Sequence, residues 1–182
     1  DLYNTALRQD RAADYASETE NAGLLQLRDA EGNSKSWLGS VMRDKYSARV
    51  WRPLTEKDYF EISFSTKGYK NIKVAAAMGD DYNAYSVNYM QVSTNGTDFT
   101  TVGTYNLPNR GWESKEFALP ATCEEQSKIW VRFMPDYSSP LTGVESVNDG
   151  TAVAEIFVLA DSNQADDHEA PTLKSTRPAD GA

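Results

Sequence analysis

Histidine and cysteine are almost missing from this chain: His168 and Cys123 are the only two among 182 residues. A single cysteine excludes an internal disulfide and any cluster of thiolates around a metal. Cys123 follows Pro120-Ala121-Thr122 and reads as a small buried filler, the usual place of a free cysteine. A reactive thiol would need a histidine beside it, yet His168 stands in the acidic stretch Asp166-Asp167-His168-Glu169, which reads as a solvated linker. Zinc catalysis and Ser-His-Asp chemistry are therefore not expected within this domain. There is also no long run of Lys and Arg. Eighteen basic residues against 27 acidic ones give a net charge of -9, which argues against nucleic acid and against anionic membrane surfaces. No apolar run approaches the ~20 residues that span a bilayer, so membrane insertion is not expected. The chain opens at Asp1 without a signal peptide, as a trimmed or mature product would, and this leaves secretion open.

What is present is period two. In Asp58–Met78, Phe60, Ile62 and Phe64 alternate with Glu61, Ser63 and Ser65, the pattern of a strand with one buried face. After Gly68 the phase resumes with Ile72, Val74, Ala76 and Met78, so Lys67-Gly68 is either a hairpin or a corner between sheets. Leu25 and Leu27 predict an earlier strand, and two short ones are expected near Ser40–Arg43 and Ala48–Trp51. Tyr85–Ser93 changes phase between Tyr89 and Met90, which predicts a bulge or burial on both faces. Asn95-Gly96 predicts a type I′ hairpin turn leading into Phe99–Tyr105. Lys115–Leu119, the clean alternation Ile129, Val131, Phe133, and the apolar run Val153–Leu159 complete nine or ten strands. Apolar residues at 40% suffice for a core, and no long helix is visible. The fold expected is all-β, an antiparallel sandwich or jelly roll.

Three stretches resemble the galactose-binding-like jelly-roll domains of secreted bacterial proteins. They are Tyr59-Phe60-Glu61 with Ser65-Thr66-Lys67-Gly68-Tyr69, then Gln91–Phe99, then Trp130-Val131-Arg132-Phe133 with Asp149-Gly150-Thr151 and Ala154–Val158. The resemblance covers residues 23 to 160. It implies a non-catalytic module, secreted, periplasmic or at the cell surface, that often binds sugars through loops at one end. Ala170-Pro171-Thr172 with Arg177-Pro178-Ala179-Asp180-Gly181 resembles the first strand of a bacterial immunoglobulin-like domain. The division expected is a lead-in over 1–22, the sandwich over 23–161, and an acidic linker with the start of a following domain over 162–182. Neighbouring domains of the same chain are then partners. Many members of the resembled group hold calcium near the first and last strands. Asp149 and Glu155 offer oxygen ligands for a structural calcium, against a plain Asp-Gly turn and a satisfied strand carboxylate.

The candidate glycan site follows from how sugars are held: rings against C–H faces, with amides, carboxylates and Arg on the hydroxyls. The loops offer Asp81 and Tyr82, then Asn109, Arg110 and Trp112, then Tyr137. Against this, Trp112 opens a strand and could serve as a lid on the core, and the tyrosines could be ordinary loop anchors. Trp37 and Trp51 with Arg43, Arg49 and Arg52 could grip an acidic sugar, or be core rings lined by Arg stems. The first functional reading is a module that binds carbohydrate. The alternative is a structural or interaction spacer that binds nothing small. Third comes a polysaccharide lyase or glycoside hydrolase, which needs carboxylates at separations that sequence spacing does not reveal.

Overall fold

The computed structural model describes residues 7–8, 10–13, 23–49, 57–80, 84–141 and 151–163. Asp81, Tyr82, Asp149, Trp51, Arg52, His168 and the expected linker and following strand from 164 onward lie outside the described residues. Thirteen strands are formed among them. In chain order they are β1 Leu7–Arg8, β2 Arg11–Ala12, β3 Leu24–Arg28, β4 Ser34–Lys35, β5 Trp37–Met42, β6 Lys45–Arg49 and β7 Tyr59–Phe64. Then come β8 Tyr69–Gly79, β9 Val87–Ser93, β10 Thr100–Asn106, β11 Trp112–Ala118, β12 Ile129–Pro135 and β13 Ala152–Ser162.

Two antiparallel sheets result. One has six strands in the order β1-β5-β6-β13-β8-β11, and the other seven in the order β10-β9-β12-β7-β3-β2 with β4 beside β3. From β7 to β13 the chain crosses between sheets at nearly every connection, the jelly-roll manner of wrapping two layers around one core. β7 lies in one sheet and β8 in the other, so Lys67-Gly68 is a corner between sheets. Thr66 pins that corner: its hydroxyl donates to the Cys123 carbonyl at 2.5 Å, and its N–H to the Gln126 carbonyl at 2.9 Å.

The core is the meeting of inward phases. Phe60, Ile62 and Phe64 from β7, Ile72, Val74, Ala76 and Met78 from β8, and Ile129, Val131 and Phe133 from β12 form one buried cluster. Trp37 joins it, its ring edge-on to Phe60, so it is a core ring. Cys123 is buried in the same layer, as expected of a filler.

Three local expectations need correction. The two short strands start earlier than expected, at Trp37 and Lys45, because Arg43-Asp44 forms the turn between them, with Arg43 at φ 57°. The hairpin at Asn95-Gly96 is real, but the turn is not type I′, since Gly96 (φ 78°) has positive φ and Asn95 does not. Instead the Asn95 side-chain oxygen accepts from the N–H groups of Thr97 and Asp98, both at 2.9 Å, making a wider Asx-type loop. Third, the phase change expected near Tyr89 vanishes. Tyr85 precedes the strand, bridging to Pro140, and the register shift lies on β10 between Thr101 and Gly103.

That shift seats the edge of the sandwich. A Cβ on Gly103 would lie 2.3 Å from Phe117 of the opposite sheet, whose ring is edge-on to Tyr105 at 5.5 Å. Gly103→Ala is expected to overpack this contact and lower stability by about 1–3 kcal/mol. Urea unfolding would check it, and an unchanged midpoint would show that the ring moves freely.

Candidate functional site

Four backbone bonds gather the predicted loops at one end of the sandwich. Asp80 N donates to Gly111 O at 3.0 Å, Ser86 N to Ser139 O at 2.7 Å, Leu107 N to Ser86 O at 2.7 Å, and Leu141 N to Ala84 O at 3.0 Å. Asn109, Arg110, Trp112 and Tyr137 thus share that end. Their tips diverge, however. Trp112 is half-buried, its indole lying over Gly79 and against Met42, with Nε1 donating to the Met42 carbonyl at 3.3 Å. Tyr137 packs edge-on against Tyr85 at 4.9 Å, and its hydroxyl donates to the Asp58 carbonyl at 2.7 Å. Burial raises its pKa, with Tyr85 and Asp58 adding to the effect. Asn109 and Arg110 are exposed in the turn before β11. Glu155, the described member of the calcium pair, is exposed at a bulge of β13 with φ 50° and binds Lys45 Nζ at 2.6 Å. Among the described residues no group of three or more His, Cys, Asp and Glu could hold a metal ion.

A denser set of polar groups lies on the outer face of the seven-stranded sheet. Because alternate residues face outward, the register Thr101↔Gln91, Gln91↔Arg132, Arg132↔Glu61 and Glu61↔Gln26 lines five side chains in a row across β10, β9, β12, β7 and β3. Each is tied to a neighbour. Gln91 Nε2 donates to Thr101 Oγ1 at 3.0 Å, and Arg132 Nε to Gln91 Oε1 at 2.7 Å. Arg28 reaches Glu61 at 3.3 Å and also donates to Gln26, whose own Nε2 donates to Asp10 at 2.6 Å.

Aromatic rings bound this row. Trp130 stands one row away on β12, with Gly96 against its ring and Lys128 Nζ 4.9 Å from its centroid. Tyr59 and Phe99 receive the Arg132 guanidinium at 5.5 and 3.8 Å. Tyr89, half-buried, donates to Asp136 at 3.3 Å. Tyr137, whose hydroxyl donates to the carbonyl of Asp58, the residue before Tyr59, is the sequence-predicted residue that stands beside this group. Gln91, Trp130, Arg132, Glu61, Tyr59 and Phe99 were not among the sequence candidates. Their signal was present as the outward phase of the best strands, where a Trp, an Arg and a Glu are more than solvation requires.

No protein-family model matches the chain, and no curated protein matches it. Among solved structures it is similar to one described as CBM4 structure and function, at 11% identity over 88% of this chain and 100% of that one, with a TM-score of 0.48. It is similar to the CBM22-2 xylan-binding domain from Paenibacillus barcinonensis Xyn10C, at 10% identity over 88% and 97% and a TM-score of 0.42. It is similar also to the K3 cleaved adhesin domain of Lys-gingipain from Porphyromonas gingivalis, at 11% identity over 85% and 99% and a TM-score of 0.40.

A separate hollow of about 850 Å³ opens between the sheets, lined by Leu25, Trp37, Ile62, Phe64, Ile72 and Val158 among others. Its walls are mostly apolar, with Arg11, Tyr46, Ser47, Thr66 and Glu155 among the polar members, whereas the outer face supplies donors and acceptors in register.

Glu61 is 6% exposed, and burial raises its pKa from the ordinary carboxylate value while Arg28 opposes the rise. The folded chain therefore binds that proton more tightly than the unfolded one. The resulting stability is full below the ordinary carboxylate range and is lost as pH rises through the raised value. Glu61→Gln should remove this loss, so the variant's stability relative to the parent improves from pH 4 to pH 7. Urea midpoints at the two pH values test it, and a shift in the opposite sense would refute the assignment. Tyr137→Phe should cost about 1 kcal/mol through the lost bond to Asp58, read from the same unfolding curves.

Proposed function

We propose that this chain is a non-catalytic glycan-binding module whose ligand lies against the outer face of the seven-stranded sheet. The observation that carries the reading is the row Thr101, Gln91, Arg132, Glu61 and Gln26, in register across five strands, hydrogen-bonded from Arg132 through Gln91 to Thr101 and joined from Glu61 to Gln26 by Arg28, and bounded by Trp130, Tyr59, Tyr89 and Phe99. Planar amides and a guanidinium held by neighbours present fixed donors and acceptors to hydroxyls, and fixing them beforehand lowers the ordering cost of binding. The central carboxylate, Glu61, is buried and paired with Arg28, so its role is to orient cations and no bond-breaking step is assigned to it. Such a module would serve a larger secreted, periplasmic or cell-surface protein, beside neighbouring domains of the same chain.

One observation favours a second reading, a spacer that packs against other domains. Phe157, Val158 and Leu159 on β13 are 58, 43 and 48% exposed, a run of adjacent apolar side chains in contact with solvent.

Affinity gel electrophoresis over a panel of polysaccharides separates the two. The expected result is retardation by at least one glycan, weakened about tenfold or more in Trp130→Ala with the circular dichroism spectrum kept, a loss of the size seen for one ring at a recognition site. Trp112→Ala should lower the melting temperature while leaving retardation in place. Loss of binding in a folded Trp112→Ala with Trp130→Ala unaffected would move the site to the loop end. No retardation by any glycan would favour the spacer.

A further inference from the structure

Among the described residues, the outer face gathers three cations, Arg28, Arg132 and Lys128, around the buried carboxylate Glu61, in a chain that is otherwise acidic, with a net charge of -9. Trp130 and Arg132 stand at alternate positions of β12 and so share its outward side, roughly 7 Å apart, and Lys128, just before the strand, sets its Nζ 4.9 Å from the Trp130 centroid. Among the described residues, each nearby carboxylate has a closer partner of its own. Glu61, directly across from Arg132 in register, is bound by Arg28 at 3.3 Å, and Asp58 is bound by Lys35 at 2.9 Å. Asp136 accepts from Tyr89 and from Ser138.

Arg132 is instead held by neutral groups. Its Nε donates to Gln91, its guanidinium lies 3.8 Å from the Phe99 centroid, and the Tyr59 ring centroid stands 5.5 Å away. A guanidinium has five N–H groups in a rigid fork, so terminal donors remain, aimed by rings and an amide and not by a carboxylate. Lys128 is exposed and held over the Trp130 indole. A cation held on an aromatic ring keeps its formal charge, and a charge-assisted bond to an anionic group is about twice as strong as one to a neutral hydroxyl.

We propose that the glycan bound on this face is acidic, with a carboxylate or sulfate group seated between Arg132 and Lys128. The inference rests on the glycan-binding reading and adds the charge of the ligand. Arg132 receives the anion through its fork, Lys128 adds a point charge, and Trp130 spaces the two. Glu61 with Arg28 forms a neutral backing that keeps Arg132 upright without competing for its terminal donors.

The test uses the 182-residue chain with polygalacturonate, alginate and a sulfated galactan, each beside its neutral counterpart made by carboxyl reduction or desulfation. Binding to an acidic polymer at least about tenfold tighter than to its neutral counterpart, and weakening as salt rises, is the expected result. Which acidic polymer binds tells carboxylate from sulfate. Lys128→Gln, at an exposed position, and Arg132→Lys, which keeps charge and loses the fork, should each reduce the preference about tenfold without changing the circular dichroism spectrum. Equal or better binding of the neutral polymers overturns the charge assignment while glycan binding stands. Failure to bind any of these polymers or any other glycan overturns both.

Discussion

The apolar layer between the two sheets is the contact on which every other feature depends. β7 and β12 lie side by side in one sheet and β8 lies between β13 and β11 in the other, and their inward residues meet at nearly zero exposure. Interiors of this kind are close-packed, so the strands that supply them have no freedom to rotate or slip by one residue. Holding the inward phase rigid holds the outward phase rigid too. Glu61, Arg132 and Gln91 are aligned across strands because Ile62, Val131 and Val92 are locked beneath them.

The outer face shows how polar groups survive on a crowded sheet. A carboxylate that is 6% exposed needs a partner, because an unpaired buried charge costs several kcal/mol. Arg28 supplies that partner to Glu61, and Gln26 receives both Arg28 and the link to Asp10. A second chain of bonds, across the register from Glu61, runs from Arg132 through Gln91 to Thr101. A network in which every member is held gives fixed geometry, and fixed geometry is what recognition of hydroxyl and acidic groups requires.

The loop end illustrates the opposite use of aromatic rings. Trp112 and Tyr137 close the sandwich, each giving its polar tip to a backbone carbonyl, Met42 or Asp58. In sequence they stood out because they sit among Asn, Arg, Gly and Asp, the surroundings that sugar-binding loops also have. The same surroundings arise wherever a large ring must anchor a turn. Trp130 and Arg132 were less conspicuous, sitting within the best strand of the chain, where alternation itself explained them.

Period-two alternation pointed to an antiparallel sandwich from the sequence alone, since Phe60, Ile62, Phe64, Ile72, Val74, Ile129, Val131 and Phe133 need a shared core between layers of short strands. The placing of Cys123 followed equally, from the chemistry of a lone thiol. Strand order was a different matter. β12 pairs with both β7 and β9, partners some 70 and 40 positions away in the chain, and only those pairings put Arg132 between Glu61 and Gln91. Local alternation says which face a residue takes. Which residue stands across from it depends on long-range register, and so the polar row from Thr101 to Gln26 came into being only when the sheets closed.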